Sequence, residues 1–195
     1  MSGTRRPRLA ILISGTGSNM RAILEACAKG SLAAEVALVI SDNPGAQGVR
    51  TAASRGVETF ISPYEKGVTR QANELPIARA IKERDIDWVV LAGYMRVLSA
   101  DFVRAFSGRI VNIHPSLLPA FPGARAIRDA LEGMADYTGV TIHLVDELVD
   151  HGPIIAQEEV PIYPGDTEES LALRIHEAEH RLYPRTLQQL LHEDI

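Results

Sequence analysis

The sequence predicts a single-domain α/β fold, a doubly wound and mostly parallel (mixed) sheet flanked by helices. Three observations carry that expectation. Short apolar runs alternate with amphipathic segments as far as residue 114. The runs are continuous rather than alternating, as in Trp88-Val89-Val90-Leu91, which suits strands covered on both faces. After His114 two strand-like runs follow one another before a last long helix, so an antiparallel portion is expected.

In chain order, the apolar runs place strands at Leu9–Ser14, Val36–Ser41, Glu58–Ile61, Trp88–Ala92, Ile110–His114, Gly139–Val145 and Ile154–Pro161. The segments between and after them place helices at Asn19–Lys29, Gln47–Arg55, Arg70–Arg84, Ala100–Phe106, Ala124–Glu132 and Thr167–His192. The last helix should open on Asp166 and Glu169 at capping-box spacing and bury Leu171, Ile175, Ala178 and Leu182 as one stripe.

At 195 residues the chain is long enough for a real core and short for two full domains. Residues 1–7 read as a disordered leader and 8–195 as one domain. A composition 46% hydrophobic and 23% charged is that of a globular protein. The net charge of −5 argues against general attraction to nucleic acid or an anionic membrane, so a phosphate must be held locally. Cys27 is the only cysteine, which excludes an internal disulfide and fits a reducing, cytoplasmic setting. The apolar stretch Leu9–Ile13 is too short for a signal segment, and no run approaches the roughly 18 residues a membrane span requires.

The most informative run is Val111-Asn112-Ile113-His114-Pro115-Ser116-Leu117-Leu118-Pro119. Alternation along a strand points Asn112 and His114 to one side, roughly 7 Å apart along the backbone. Pro115 cannot continue a central ladder, so an amide and an acid/base end up at the rim of a sheet. Ile13-Ser14-Gly15-Thr16-Gly17-Ser18-Asn19 turns from a strand into a helix. Its free amides suit a compact phosphate. A plain capped turn is the alternative, as is a dinucleotide turn with Asp42 on the ribose and Met20 where the third glycine belongs.

Leu91–Leu98 should border the same crevice. It reads either as a slot for a flat heterocycle with Arg96 for a carboxylate, or as a core plug of Met95 and Leu98. In the acidic loop Asp146–Pro153, an Asp reaching His114 would orient the imidazole and favour its charged form. A solvated turn ending at Gly152-Pro153 is the alternative. His176, Glu179 and His180 share a face of the last helix, open to a solvated role, a substrate contact or a thin metal signal.

Together these strings, with Phe121-Pro122-Gly123 and Asp150-His151-Gly152-Pro153-Ile154-Ile155, resemble the signature of the folate-dependent formyltransferases over nearly the whole chain. The resemblance implies a Rossmann-like formyltransferase fold. It implies transfer of a formyl group from 10-formyltetrahydrofolate, as co-substrate and without a metal, to the amine of phosphoribosylglycinamide in purine synthesis. Asn112, His114 and Asp150 match the family's catalytic trio. Gly17, Ser18 and Asn19 match the phosphate segment, and Glu179 and His176 the contacts at the glycinamide end. Met95, Arg96, Val97 and Leu98 match the pterin-pocket segment, closed by Asp146, Glu147, Leu148, Val149 and Asp150 with Asn112 at its base. Arg70 aligns with a basic residue near the folate glutamate carboxylate. Arg125 and His151 depart from the family pattern without removing a catalytic group.

The partners expected are therefore small molecules, with neither nucleic acid nor membrane, and the working form a monomer or homodimer. Two other functions stay open: hydrolysis of the same folate by a formyltetrahydrofolate deformylase, expected to carry a further N-terminal domain, and a non-catalytic nucleotide-binding module.

Overall fold

The structure, a computed structural model, describes residues 5–193. Among the described residues, seven strands and six helices follow in the order β1 (Arg8–Ile13), α1 (Ser18–Lys29), β2 (Glu35–Ser41), α2 (Gln47–Ser54), β3 (Thr59–Ile61), α3 (Arg70–Glu83), β4 (Trp88–Leu91), α4 (Ala100–Ala105), β5 (Ile110–His114), α5 (Ala126–Glu132), β6 (Tyr137–Leu144), β7 (Ile154–Pro161) and α6 (Glu168–Glu193). The first four residues of the expected leader lie outside the described residues. Beyond them Arg5 pairs with Asp87 at 2.9 Å, and the Pro7 carbonyl accepts from the Glu35 amide at 2.9 Å.

All strands join one sheet in the order β3-β2-β1-β4-β5-β6-β7. Pairing is parallel from β3 through β5 and antiparallel from β5 to β7, the mixed sheet the sequence predicts. Alternation splits β1 between two cores. Leu9, Ile11 and Ile13 pack with Met20 and Ile23 of α1 and with Leu171, Ile175, Ala178 and Leu182 of α6. Ala10 and Leu12 pack with Ile77 and Ile81 of α3 and Phe102 of α4. Both faces of the sheet are thereby covered, which accounts for its unbroken apolar runs.

Because β1 sends its chain to α1 on one face and β4 sends its chain to α4 on the other, the two loops part and leave a crevice beyond the strand ends. Tyr183 of α6 secures that region from below: its buried hydroxyl lies 2.9 Å from the Leu91 carbonyl and 3.1 Å from that of Val111.

The start of α6 corrects one expectation. The reciprocal cap is Thr167 with Ser170: Ser170 N donates to Thr167 Oγ1 at 3.2 Å and Thr167 N to Ser170 Oγ at 3.0 Å. Asp166 is drawn away from a capping role by Arg174, whose guanidinium makes two 2.9 Å bonds to its carboxylate, and by the Tyr163 amide at 2.7 Å. Those bonds, Arg174 first, hold the Asp166 carboxyl well below the usual carboxylate range.

Candidate active site

At the end of β5, Asn112 and His114 both open on the crevice. The antiparallel register sets Asn112 opposite His143 and His114 opposite Thr141. His143 is buried, and its Nδ1 lies 2.8 Å from the Leu144 carbonyl, an acceptor only, so Nδ1 carries the proton. Nε2 is then a bare acceptor for Asn112 Nδ2 at 3.2 Å. This orients the Asn112 amide and leaves its second N–H for a ligand. Burial, ahead of other influences, lowers the pKa of His143 and favours this neutral form.

His114 is only 5% exposed. Its Nε2 donates to the Phe121 carbonyl at 3.0 Å, so Nδ1 is the nitrogen left to exchange a proton. Asp150 Oδ2 stands 3.4 Å from that Nδ1, and Oδ1 stands 3.9 Å from His143 Nε2. The Gly123 amide donates to the same carboxylate at 2.8 Å. Asp150 adopts a left-handed φ of 51°, strained for a residue with a side chain, at the site where the acid/base groups meet. The loop that carries it is thus turned toward His114 rather than out to solvent.

A cleft of about 260 Å³ opens above this trio. One wall is Met95–Leu98 and the other Asp146–Val149. Met95, Val97, Leu148 and Val149 are all exposed at its mouth, with Met95 at 69%, so Met95 is not a core plug; Leu98, at 8%, is one. Four exposed apolar side chains around a polar floor mark a slot for an organic ring. The first wall is latched to the β1 loop: Met95 N donates to Ser14 Oγ at 2.8 Å and Ser14 N to the Gly93 carbonyl at 3.0 Å. Arg96 pairs with buried Asp42 at 2.6 Å and lies over the Tyr64 ring at 4.5 Å, so Asp42 is a partner for Arg96 rather than a ribose ligand.

Across the crevice, Gly17 begins α1 with φ 71° and no side-chain cap. A Cβ there would sit 2.9 Å from Gly48 Cα, so both the turn and the close approach require glycine. Without a side-chain cap, the first amides of the helix remain suited to an anion. Asn19 Nδ2 donates instead to Glu179 Oε2 at 2.9 Å. Asn19 Oδ1 is buried without a partner, and burial pushes the Glu179 carboxyl up. Glu179 is 5% exposed, so it does not belong to a solvated face; His176, one turn earlier, is exposed. Arg70 heads α3, exposed and outside the residues that line the cleft. Among the described residues no group of three or more His, Cys, Asp or Glu could hold a metal ion.

His143 is the side chain of the candidate site that the sequence reading missed. Its signal was a lone imidazole within Val140-Thr141-Ile142-His143-Leu144, legible only once β6 is known to lie beside β5.

A family model described as "Formyl transferase" matches residues 7–187. The chain belongs to the formyl transferase family. Phosphoribosylglycinamide formyltransferase of Bacillus subtilis is 38% identical over 184 residues, covering 94% of each protein. The trifunctional purine biosynthetic protein adenosine-3 of Drosophila melanogaster is 46% identical over 193 residues, but this formyl transferase chain spans only 14% of its length. The chicken trifunctional protein is likewise spanned over 18% of its length. A solved phosphoribosylglycinamide formyltransferase from Bacillus halodurans superposes with a TM-score of 0.93 at 47% identity, covering 96% of this chain and 97% of that one. A glycinamide ribonucleotide transformylase from Symbiobacterium toebii gives 0.94 at 41% identity, covering 99% and 94%. The family fold foreseen from the sequence is thus the fold observed.

Proposed function

We propose that this chain transfers a formyl group from 10-formyltetrahydrofolate to the amine of phosphoribosylglycinamide, a step of purine biosynthesis in the cytoplasm. The observation that carries the reading is the convergence of Asn112, His114 and Asp150 on the floor of an apolar-rimmed cleft, beside an uncapped helix start. The names of full-length relatives support the same acceptor.

The walls suit the folate. Met95, Val97, Leu98, Leu148 and Val149 offer faces for a bicyclic ring, and Arg96, Asp146 and Glu147 offer polar contacts at its edges. Arg70 serves the distal glutamate carboxylate from outside the cleft. Gly17, Ser18 and Asn19 cradle the acceptor's phosphate, while Glu179, with His176 beside it, receives the glycinamide end. A buried carboxyl already bonded to Asn19 suits an amine that must be oriented and relieved of a proton.

When the amine adds to the formyl carbon, the formyl oxygen gains negative charge. The free N–H of Asn112 is a donor for such an oxygen, and one donor of this kind is typically worth about 3 kcal/mol. His114, oriented by the Phe121 carbonyl and faced by Asp150, then holds or returns the proton that the departing folate nitrogen needs as the carbon–nitrogen bond breaks.

The test mixes purified protein with 10-formyltetrahydrofolate and follows folate absorbance with and without phosphoribosylglycinamide. Folate release that depends on the ribonucleotide, with one formyl group of mass gained by it, is expected. Release without the ribonucleotide would make the chain a hydrolase, and no release would leave a binding module.

A further inference from the structure

A second cleft, of about 490 Å³, lies between α1 and α6, running from Ser18 away from the catalytic trio. Two hydrogen bonds set these helices side by side in the same direction. Asn19 meets Glu179 at one end, and beyond α1 the Ala33 amide donates to Gln188 Oε1 at 2.7 Å. The lining holds four cations, Arg21 and Lys29 from α1 with Arg181 and Arg185 from α6, against a single acid, Glu25.

The ion pairs sharpen that imbalance. Arg181 is engaged by Glu158 at 2.6 Å, and Glu25 is engaged by Arg55 at 3.2 Å. Arg21, Arg185 and Lys29 form no ion pair among the described residues. In a chain of net charge −5, three cations in one groove without an ion-pair partner among the described residues call for an explanation. With the helices parallel, these three follow the groove in the order Arg21, Arg185, Lys29. At about 1.5 Å of rise per residue, Arg21 and Lys29 are about 12 Å apart, too far to share a single phosphate.

A second observation points the same way. His180 lines the cleft, and its Nε2 is buried without a hydrogen-bond partner. Burial, then the neighbouring His176 and Arg21, hold this imidazole below its ordinary pKa, so it is neutral. A buried ring nitrogen without a partner leaves the polar side of this cleft incomplete.

We propose that the α1/α6 groove is a second anion site, which takes a linear chain of phosphates along Arg21, Arg185 and Lys29. Arginine's fork and lysine's point charge are the usual partners of phosphate oxygens. Two sources present this chemistry, free polyphosphate and the tail of a nucleoside triphosphate. The site borders the proposed substrate cradle at Ser18 yet does not depend on it.

Isothermal titration of the full chain with tripolyphosphate, and separately with magnesium-free ATP, tests the proposal. One equivalent of tripolyphosphate should bind, and Arg185→Glu and Lys29→Glu should each weaken it at least about tenfold, the scale of one lost charged hydrogen bond. Asn19→Ala should leave that binding in place, and formyl transfer should keep its kcat in both charge-reversed variants. ATP binding tighter than tripolyphosphate would assign a nucleotide, and equal affinity free polyphosphate. Absence of binding, or binding indifferent to both reversals, would overturn the site. Arg185→Gln, which removes the charge without reversing it, serves if a reversal disturbs folding.

Discussion

Asn112 and His143 face one another across the antiparallel pair β5–β6 and share a hydrogen bond of 3.2 Å. Since His143 Nδ1 is committed to the Leu144 carbonyl, the direction of that bond is settled: Asn112 gives and His143 takes. The amide proposed to meet the developing oxyanion is therefore aimed by a neighbouring strand.

Asn112→Ala should lower kcat about 10²–10³-fold, the usual cost of one oxyanion donor. KM for phosphoribosylglycinamide should stay near the wild-type value, because the interaction forms chiefly in the transition state. Steady-state kinetics decide it; an unchanged kcat with a raised KM would make Asn112 a binding residue only.

The same pair predicts a pH dependence of stability. The folded pKa of His143 lies below its ordinary 6.5, so the unfolded chain binds more protons near and below that pH. The stabilisation is fully present above 6.5 and is lost as the pH falls from there through the lower, folded value. His143→Gln keeps an acceptor for Asn112 but does not titrate. Urea unfolding of both proteins between pH 8 and 5 should show the wild type losing stability more steeply, by about 1.4 kcal/mol for each unit of pKa difference. Parallel curves would rule His143 out as a source of the slope.

Gly152 follows the loop that carries Asp150, and a side chain there has nowhere to go. A Cβ would overlap the Leu144 carbonyl oxygen, the atom that orients His143. Gly152→Ala should therefore displace Asp150 and His143 together, with a loss of kcat larger than that of Asp150→Asn alone. The latter keeps the shape and removes the charge, and should cost about 10²–10⁴-fold, as for other positioned acid/base groups. Equal losses in the two variants would mean that the loop absorbs the extra methyl.

Much of this architecture was legible in the chain. The β-α rhythm and the continuous apolar runs placed every element to within a few residues, because burial on both faces of the sheet leaves a strong local signature. α6 ran on through Pro184 as the sequence expected, its stripe of Leu171, Ile175, Ala178 and Leu182 outweighing one missing amide. Asn112 and His114 were legible because strand alternation fixes their common side. What stayed hidden depends on partners distant in sequence. The Asn112–His143 pair needs the order of β5 and β6, the Asp42–Arg96 pair needs two loops to meet, and the Thr167–Ser170 cap replaced Asp166 because Arg174 outbids a helix amide. The cationic groove requires α1 and α6, some 160 residues apart in the Asn19–Glu179 bond, to lie in register.

Glu74 of α3 offers the last test. Its buried carboxylate accepts from the Ser99 amide at 2.9 Å and from the Ser99 hydroxyl, and Ser99 caps α4 directly after the Gly93–Leu98 wall of the cleft. Burial pushes the Glu74 carboxyl up, so the bond is strongest where both donors still find an ionised acceptor. Glu74→Ala leaves the Ser99 donors without that partner and should cost about 1–3 kcal/mol of stability. Because the wall it anchors lines the proposed folate slot and not the proposed phosphate cradle, KM for 10-formyltetrahydrofolate should rise severalfold while KM for phosphoribosylglycinamide holds. Glu74→Asp or Glu74→Gln, which retain an acceptor, should recover part of both losses. A variant that melts early yet binds both substrates normally would confine Glu74 to holding α3 against α4.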